Sequence, residues 1–167
     1  MATLQSLAIE KKKFNDLLRE IDALPMKLRK GAELSVLRAG AGLIRKSAKS
    51  FAARSKDSGA LAKSIAVTIT GKTGSKTARV GPLKNFKMTV TRTWPETMRT
   101  GRGDNADRTY TMEANPQRYS HLVEYGTSKT PAKPFIRPAI DATQEKVAGA
   151  MAAQLDLYLT RILAKSS

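Results

Sequence analysis

Ser64-Ile65-Ala66-Val67-Thr68-Ile69-Thr70-Gly71-Lys72-Thr73-Gly74-Ser75-Lys76-Thr77-Ala78-Arg79-Val80-Gly81-Pro82 is the stretch in which the chain changes its period. Ile65, Val67 and Ile69 alternate with polar or small residues, the twofold repeat of a half-buried strand. Gly71 to Ser75 reads as a turn. Ala78 and Val80 make a short return strand that Gly81-Pro82 stops, because proline brings no amide hydrogen to a ladder. Phe86, Met88, Val90 and Trp94 alternate with Lys87, Thr89, Thr91 and Thr93 as a third strand, and Tyr110 and Met112 suggest a fourth. Between these, Pro95 to Asp107 is polar and without period, so 95–107 reads as a long mobile hairpin loop.

On either side of this strand region the period is helical. Leu7, Phe14, Leu17, Leu18, Ile21 and Leu24 fall mostly on one face of a first helix, which Pro25 brings to an end. Leu34, Leu37, Ala41, Ile44, Ala48 and Phe51 follow at steps of three and four, a narrow, alanine-rich stripe. Small residues let another backbone come close, so this second helix should lie flat on a sheet or on a neighbouring subunit's helix. Arg38, Arg45 and Lys49 fall on a different side, as a solvated face would place them. Asn115-Pro116 caps a short helix that Gly126 stops, and Pro138 opens a last helix carrying Ile140, Val147, Met151, Leu155, Tyr158 and Ile162 on one side.

Strands grouped between helices, with no strand-helix-strand alternation, indicate an α+β fold: an antiparallel sheet of about four strands packed by N-terminal helices and a long C-terminal helix. The whole chain, 1–167, reads as a single domain. Its parts are a helical 1–56, strands over 61–113 with the loop 95–107, a short helix at 116–126 and the C-terminal helix at 138–165.

Thirty Lys and Arg against fourteen Asp and Glu leave the 167-residue chain at +16, which draws it toward polyanions such as nucleic acid or acidic protein surfaces. A hydrophobic share of 41% marks a folded rather than a disordered chain. With no cysteine there is no disulfide, thiol nucleophile, cysteine-ligated zinc or iron-sulfur cluster. The N-terminus lacks the pattern of a secretory signal and no run is apolar enough for a membrane helix, so the expectation is a soluble protein that stays where it is made.

Chemistry finds little purchase. His121 is the sole histidine, on the short helix beside Leu122, where packing or exposure explains it better than catalysis. Asp104, Asn105 and Asp107 lack the spacing and terminal glutamate of a calcium loop. Gly71-Lys72-Thr73 lacks the glycine that a phosphate loop needs five positions earlier, where Ala66 stands. Arg102-Gly103-Asp104 is a tripeptide that chance supplies often. The expectation is therefore no enzyme, no cofactor and no metal. From Lys63 to Arg108, ten basic residues stand against three acidic ones, a surface able to follow phosphates. Few aromatics accompany them, so no stacking platform for single strands is evident.

The segment Tyr119-Ser120-His121-Leu122-Val123-Glu124-Tyr125-Gly126-Thr127, followed by Pro134-Phe135-Ile136-Arg137-Pro138-Ala139, resembles the signature of the phage tail-component family typified by gene product ten of a lambdoid phage. Ser58-Gly59-Ala60-Leu61-Ala62-Lys63-Ser64-Ile65 and Arg79-Val80-Gly81 are similar to two further pieces of it. The loop 95–107 and serine in place of threonine before Gly59 depart from the pattern. The signature positions Gly59, Leu61, Ser64, Ile65, Tyr119, Val123, Glu124, Gly126, Thr127, Pro134, Phe135, Arg137 and Pro138 also make physical sense alone. Gly126 permits a sharp turn, and Thr127 can bond a backbone group in the loop that follows. Phe135 between prolines is a rigidly presented anchor, and Glu124 and Arg137 are opposite charges that would pair if partly buried.

The resemblance implies a structural virion protein, made in the host cytoplasm. It implies a ring of about six copies at the head-tail joint that completes the tail or neck. Its partners would be itself, the tail tube or tail terminator, and the head-side adaptor or stopper, with DNA passing through the channel and no membrane. Lys72, Lys76, Arg79, Lys87, Arg92, Arg99, Arg102 and Arg108 are then candidate contacts to DNA or to acidic neighbours. The alternative is a basic nucleic-acid-binding protein that is not part of the virion.

Overall fold

A computed structural model describes residues 4–54, 59–93 and 109–166. Trp94, the loop 95–107 and the candidate contacts Arg99, Arg102 and Arg108 lie outside the described residues. Helix α1 (Leu4–Ala23) ends before Pro25, and α2 (Met26–Ala53) starts directly after it. A one-turn helix, α3 (Ala60–Ser64), leads into β1 (Ile65–Thr70) and β2 (Thr77–Pro82). Strands β3 (Met88–Thr93) and β4 (Thr109–Ala114) follow, then α4 (Pro116–Tyr125) and α5 (Arg137–Ser166).

The frame is the antiparallel pair α2 and α5. Small residues make it possible, and the close helix partner is this chain's own α5 where the alanine-rich stripe suggested a sheet or a neighbouring subunit's helix. The Tyr158 hydroxyl donates to the Leu28 carbonyl at 3.1 Å, and Gln154 Nε2 donates to Ser35 Oγ at 2.8 Å. A Cβ added at Gly40 would stand 2.8 Å from Met151 Sδ, and one at Gly31 would overlap the Tyr158 phenol, so the side chains of α5 occupy the space that these glycines leave. Helix α1 adds Leu17 and Ile21 to a core cluster with Ala32, Val36, Met151 and Leu155. The face predicted for α1 is wider than the face it buries. Phe14 and Leu18 stay 39% and 43% exposed, because only one side of this helix is covered. Likewise α2 buries Ala32, Val36, Gly40, Ala41, Ala48 and Ala52, while Leu34 and Ile44 are only half-buried. It packs against α5 on one side and the first hairpin on another.

All four strands are antiparallel, but they form two separate ladders rather than one sheet, β1 with β2 and β3 with β4. Val67 faces Val80 in the first, and Val90 faces Met112 in the second. The first ladder runs one step past Pro82, where the Leu83 amide donates to the Ser64 carbonyl at 3.0 Å in the same register, and the chain then leaves it in a turn that the Phe86 amide closes on Leu83. Each ladder then buries its own apolar residues: Ile65 joins Ala48, Ala52, Leu61, Phe135 and Ala139, whereas Val90 and Ala114 pack with Ala60.

Candidate functional site

The corner between α4 and α5 is held by a dense set of backbone and side-chain hydrogen bonds. Pro116 takes the first turn of α4, where a missing amide hydrogen costs nothing. Tyr119 and Val123, four residues apart, turn one face of α4 onto the cluster of Leu61, Ile65 and Phe135. Gly126 follows with φ 78°, a left-handed value that favours glycine, and its amide closes on the Leu122 carbonyl at 2.8 Å. A Cβ there would also stand 2.7 Å from the Ala132 amide nitrogen. Thr127 and Thr130 exchange backbone hydrogen bonds of 2.9 and 3.3 Å, and the Thr127 hydroxyl accepts from the amides of Lys129 and Thr130 at 3.2 and 3.0 Å. The Lys133 amide donates to the Val123 carbonyl at 2.8 Å, tying the returning chain to α4.

Glu124 holds this corner shut. Its carboxylate is buried and accepts three backbone hydrogen bonds, from Phe135 at 2.8 Å, Ile136 at 3.0 Å and Arg137 at 3.2 Å. These amides open α5, so a negative charge sits where the helix leaves donors unsatisfied and its dipole is positive. Burial alone would raise the Glu124 pKa, but the amides of Ile136, Phe135 and Arg137, together with the Arg137 charge, more than offset it and hold the carboxyl below its usual range. The expected Glu124 and Arg137 pair is thus corrected in kind. Arg137 contributes its backbone amide and its field, while its guanidinium lies 4.8 Å over the Tyr125 ring. Phe135, at 2% exposure, is an anchor of the core.

The remaining signature positions converge on the same place. Gly59 starts α3 with φ 70°, Leu61 and Ile65 enter the Phe135 cluster, and the buried Ser64 hydroxyl donates to the Leu61 carbonyl at 2.7 Å. Pro134 is exposed and Pro138 half-buried, bracketing Phe135 at the start of α5. Residues far apart in sequence therefore meet in one packed corner.

The basic candidates do not converge in this way. Lys76 is nearly buried and bonded to Glu33 of α2, which also accepts from the Gly74 amide at 2.7 Å, so this lysine clamps the first hairpin onto the helix and is withdrawn from any outside partner. Lys87 pairs with Glu113 at 2.9 Å, both well exposed. Lys72 and Arg79 are exposed on the first hairpin, and Arg92 is placed on β3 by its backbone. Sequence reasoning missed Glu33. The signal was there, since Glu33 is the sole acid among seven cations on α2. His121 is exposed on α4. Among the described residues no group of His, Cys, Asp or Glu has the geometry of a metal site, and no helix is long and apolar enough to cross a membrane.

The distinctive residues of this frame are spent on corners, clamps and close helix contacts. In comparison with protein families, the model for "Bacteriophage HK97-gp10, putative tail-component" matches residues 15–126, and the chain belongs to this phage tail-component family. The match covers α2, both hairpins and α4 and stops at Gly126, before the Pro134 to Ala139 segment. No curated protein and no solved structure matches the chain.

Proposed function

We propose that this tail component is a structural subunit of the head-tail joint and not an enzyme. Copies close into a ring of about six, completing the tail between the tail tube or terminator and the head-side adaptor or stopper, with DNA passing through the channel. Family membership over residues 15–126 carries the reading. Closed symmetry suits such a subunit, because it multiplies modest contacts and leaves no exposed end. Phe14 and Leu18, one turn apart and exposed on α1, supply apolar surface for a neighbouring subunit.

The test is a phage carrying a nonsense mutation in this gene, with its particles imaged by electron microscopy and complemented in trans. Separated heads and tails, restored to infectious virus by the wild-type chain, are expected. Infectious particles lacking the protein would overturn the proposal. The +16 charge favours one second reading, a nucleic-acid-binding protein outside the virion. Tight binding of random duplex with a steep salt slope, together with absence from tail particles, would select it.

A further inference from the structure

We propose that the groove between α2 and the open edge of β1 receives an extended acidic segment of a partner protein, which adds to β1 as a strand and sets its carboxylates against Arg38 and Arg45. The groove encloses about 450 Å³, with Leu34 and Gly42 on the helical wall and Val67 and Ile69 on the strand wall. Arg38 and Arg45 line it as well. Leu34 and Arg38 also line a second cavity of about 450 Å³, together with Gln154 and Tyr158 of α5.

Three observations select the occupant. First, β1 pairs with β2 alone, so among the described residues its other edge has no strand partner, and unpaired amides and carbonyls there are a template for a further strand. Second, Arg38 and Arg45 are exposed and make no ion pair among the described residues. They are seven residues apart, about 10 Å along the helix, a distance an extended segment covers in three to four residues. Third, the chain carries +16, so a second copy brings the wrong charge and an acidic partner the right one. A nucleic acid would meet the two arginines but leave the strand edge unused. The inference does not rest on the ring, since any assembly of this tail component with an acidic neighbour could use the groove.

The probe is a fluorescein-labelled peptide, Glu-Val-Thr-Val-Glu-Val-Thr, which places both carboxylates on one face and the valines on the other. Fluorescence anisotropy with the full-length protein should show saturable binding at micromolar peptide, with amides of residues 65–70 gaining protection from hydrogen exchange. A peptide with lysine in place of glutamate, and one N-methylated at alternate amides, should each bind at least tenfold more weakly. The double variant Arg38→Glu, Arg45→Glu should bind the parent peptide at least tenfold more weakly with its melting temperature unchanged, because both side chains are exposed. Equal binding of the acidic and lysine peptides, or no protection in β1, overturns the proposal. So does failure to bind the acidic peptide when a 20-base-pair duplex binds and the double variant loses it, or when the double variant alters only the oligomeric state.

Discussion

Replacing Glu124 by glutamine probes the corner with one atom. In the native protein one carboxylate oxygen accepts from Phe135 and Ile136 and the other from Arg137. Glutamine has a single acceptor oxygen. Set toward Phe135 and Ile136, it turns its NH2 group against the Arg137 amide, two donors facing each other. The loss is one charge-assisted bond plus a stranded buried donor, on the order of 2–3 kcal/mol. For a chain of this size that lowers the melting temperature by roughly 4–12 °C. The second readout is pH. Because folding lowers the Glu124 pKa, its contribution is complete above the ordinary glutamate pKa, near 4.3, and is lost as pH falls through the lower folded value. Wild type should therefore lose stability on acidification below about pH 4.3 more steeply than Glu124→Gln, and the two curves should converge at the acid end. Calorimetry between pH 7 and pH 3 measures both effects. Equal melting temperatures at pH 7 and parallel pH curves would refute the claim that this carboxylate closes the corner.

Gly126→Ala forces a Cβ onto a left-handed backbone against the Ala132 amide and should cost about 1–3 kcal/mol in chemical denaturation, whereas Gly59→Ala, left-handed but with open space around it, should cost less. Lys76→Ala strands the nearly buried Glu33 carboxylate and should destabilise by about 3 kcal/mol, a loss that the added substitution Glu33→Gln partly restores; additive effects in a double-mutant cycle would contradict the clamp. Gly40→Leu drives a side chain into Met151 and should lower the melting temperature strongly, while Gly42→Ala, with nothing near its Cβ, should raise helix stability slightly. In duplex-binding titrations, Lys72→Glu with Arg79→Glu should reduce the salt slope without unfolding the protein, since both side chains are exposed.

The switch from a helical to a twofold period at Ser64 and Ile65, the stop at Pro25, the helix start at Asn115-Pro116 and the glycine end of the short helix were all legible locally, although the Asn115 side chain makes no capping hydrogen bond. Each depends on backbone preferences or side-chain alternation within a few residues. The alanine stripe of α2 was legible for the same reason. The family could be named from the Tyr119 to Thr127 segment because its turn chemistry is compressed into a few consecutive residues. Tertiary structure alone decided the rest. Periodicity gives strand faces but not strand partners, so the division into two ladders followed from where the chain turned, between Leu83 and Phe86. Opposite charge and expected burial suggested that Glu124 would meet Arg137, yet a carboxylate takes whichever donors the fold brings nearest, and the approach to α5 offered three amides. Lys76 looked like one more surface cation until the hairpin folded down onto Glu33. A charge finds its partner in space, and that information is absent from any local window of the chain.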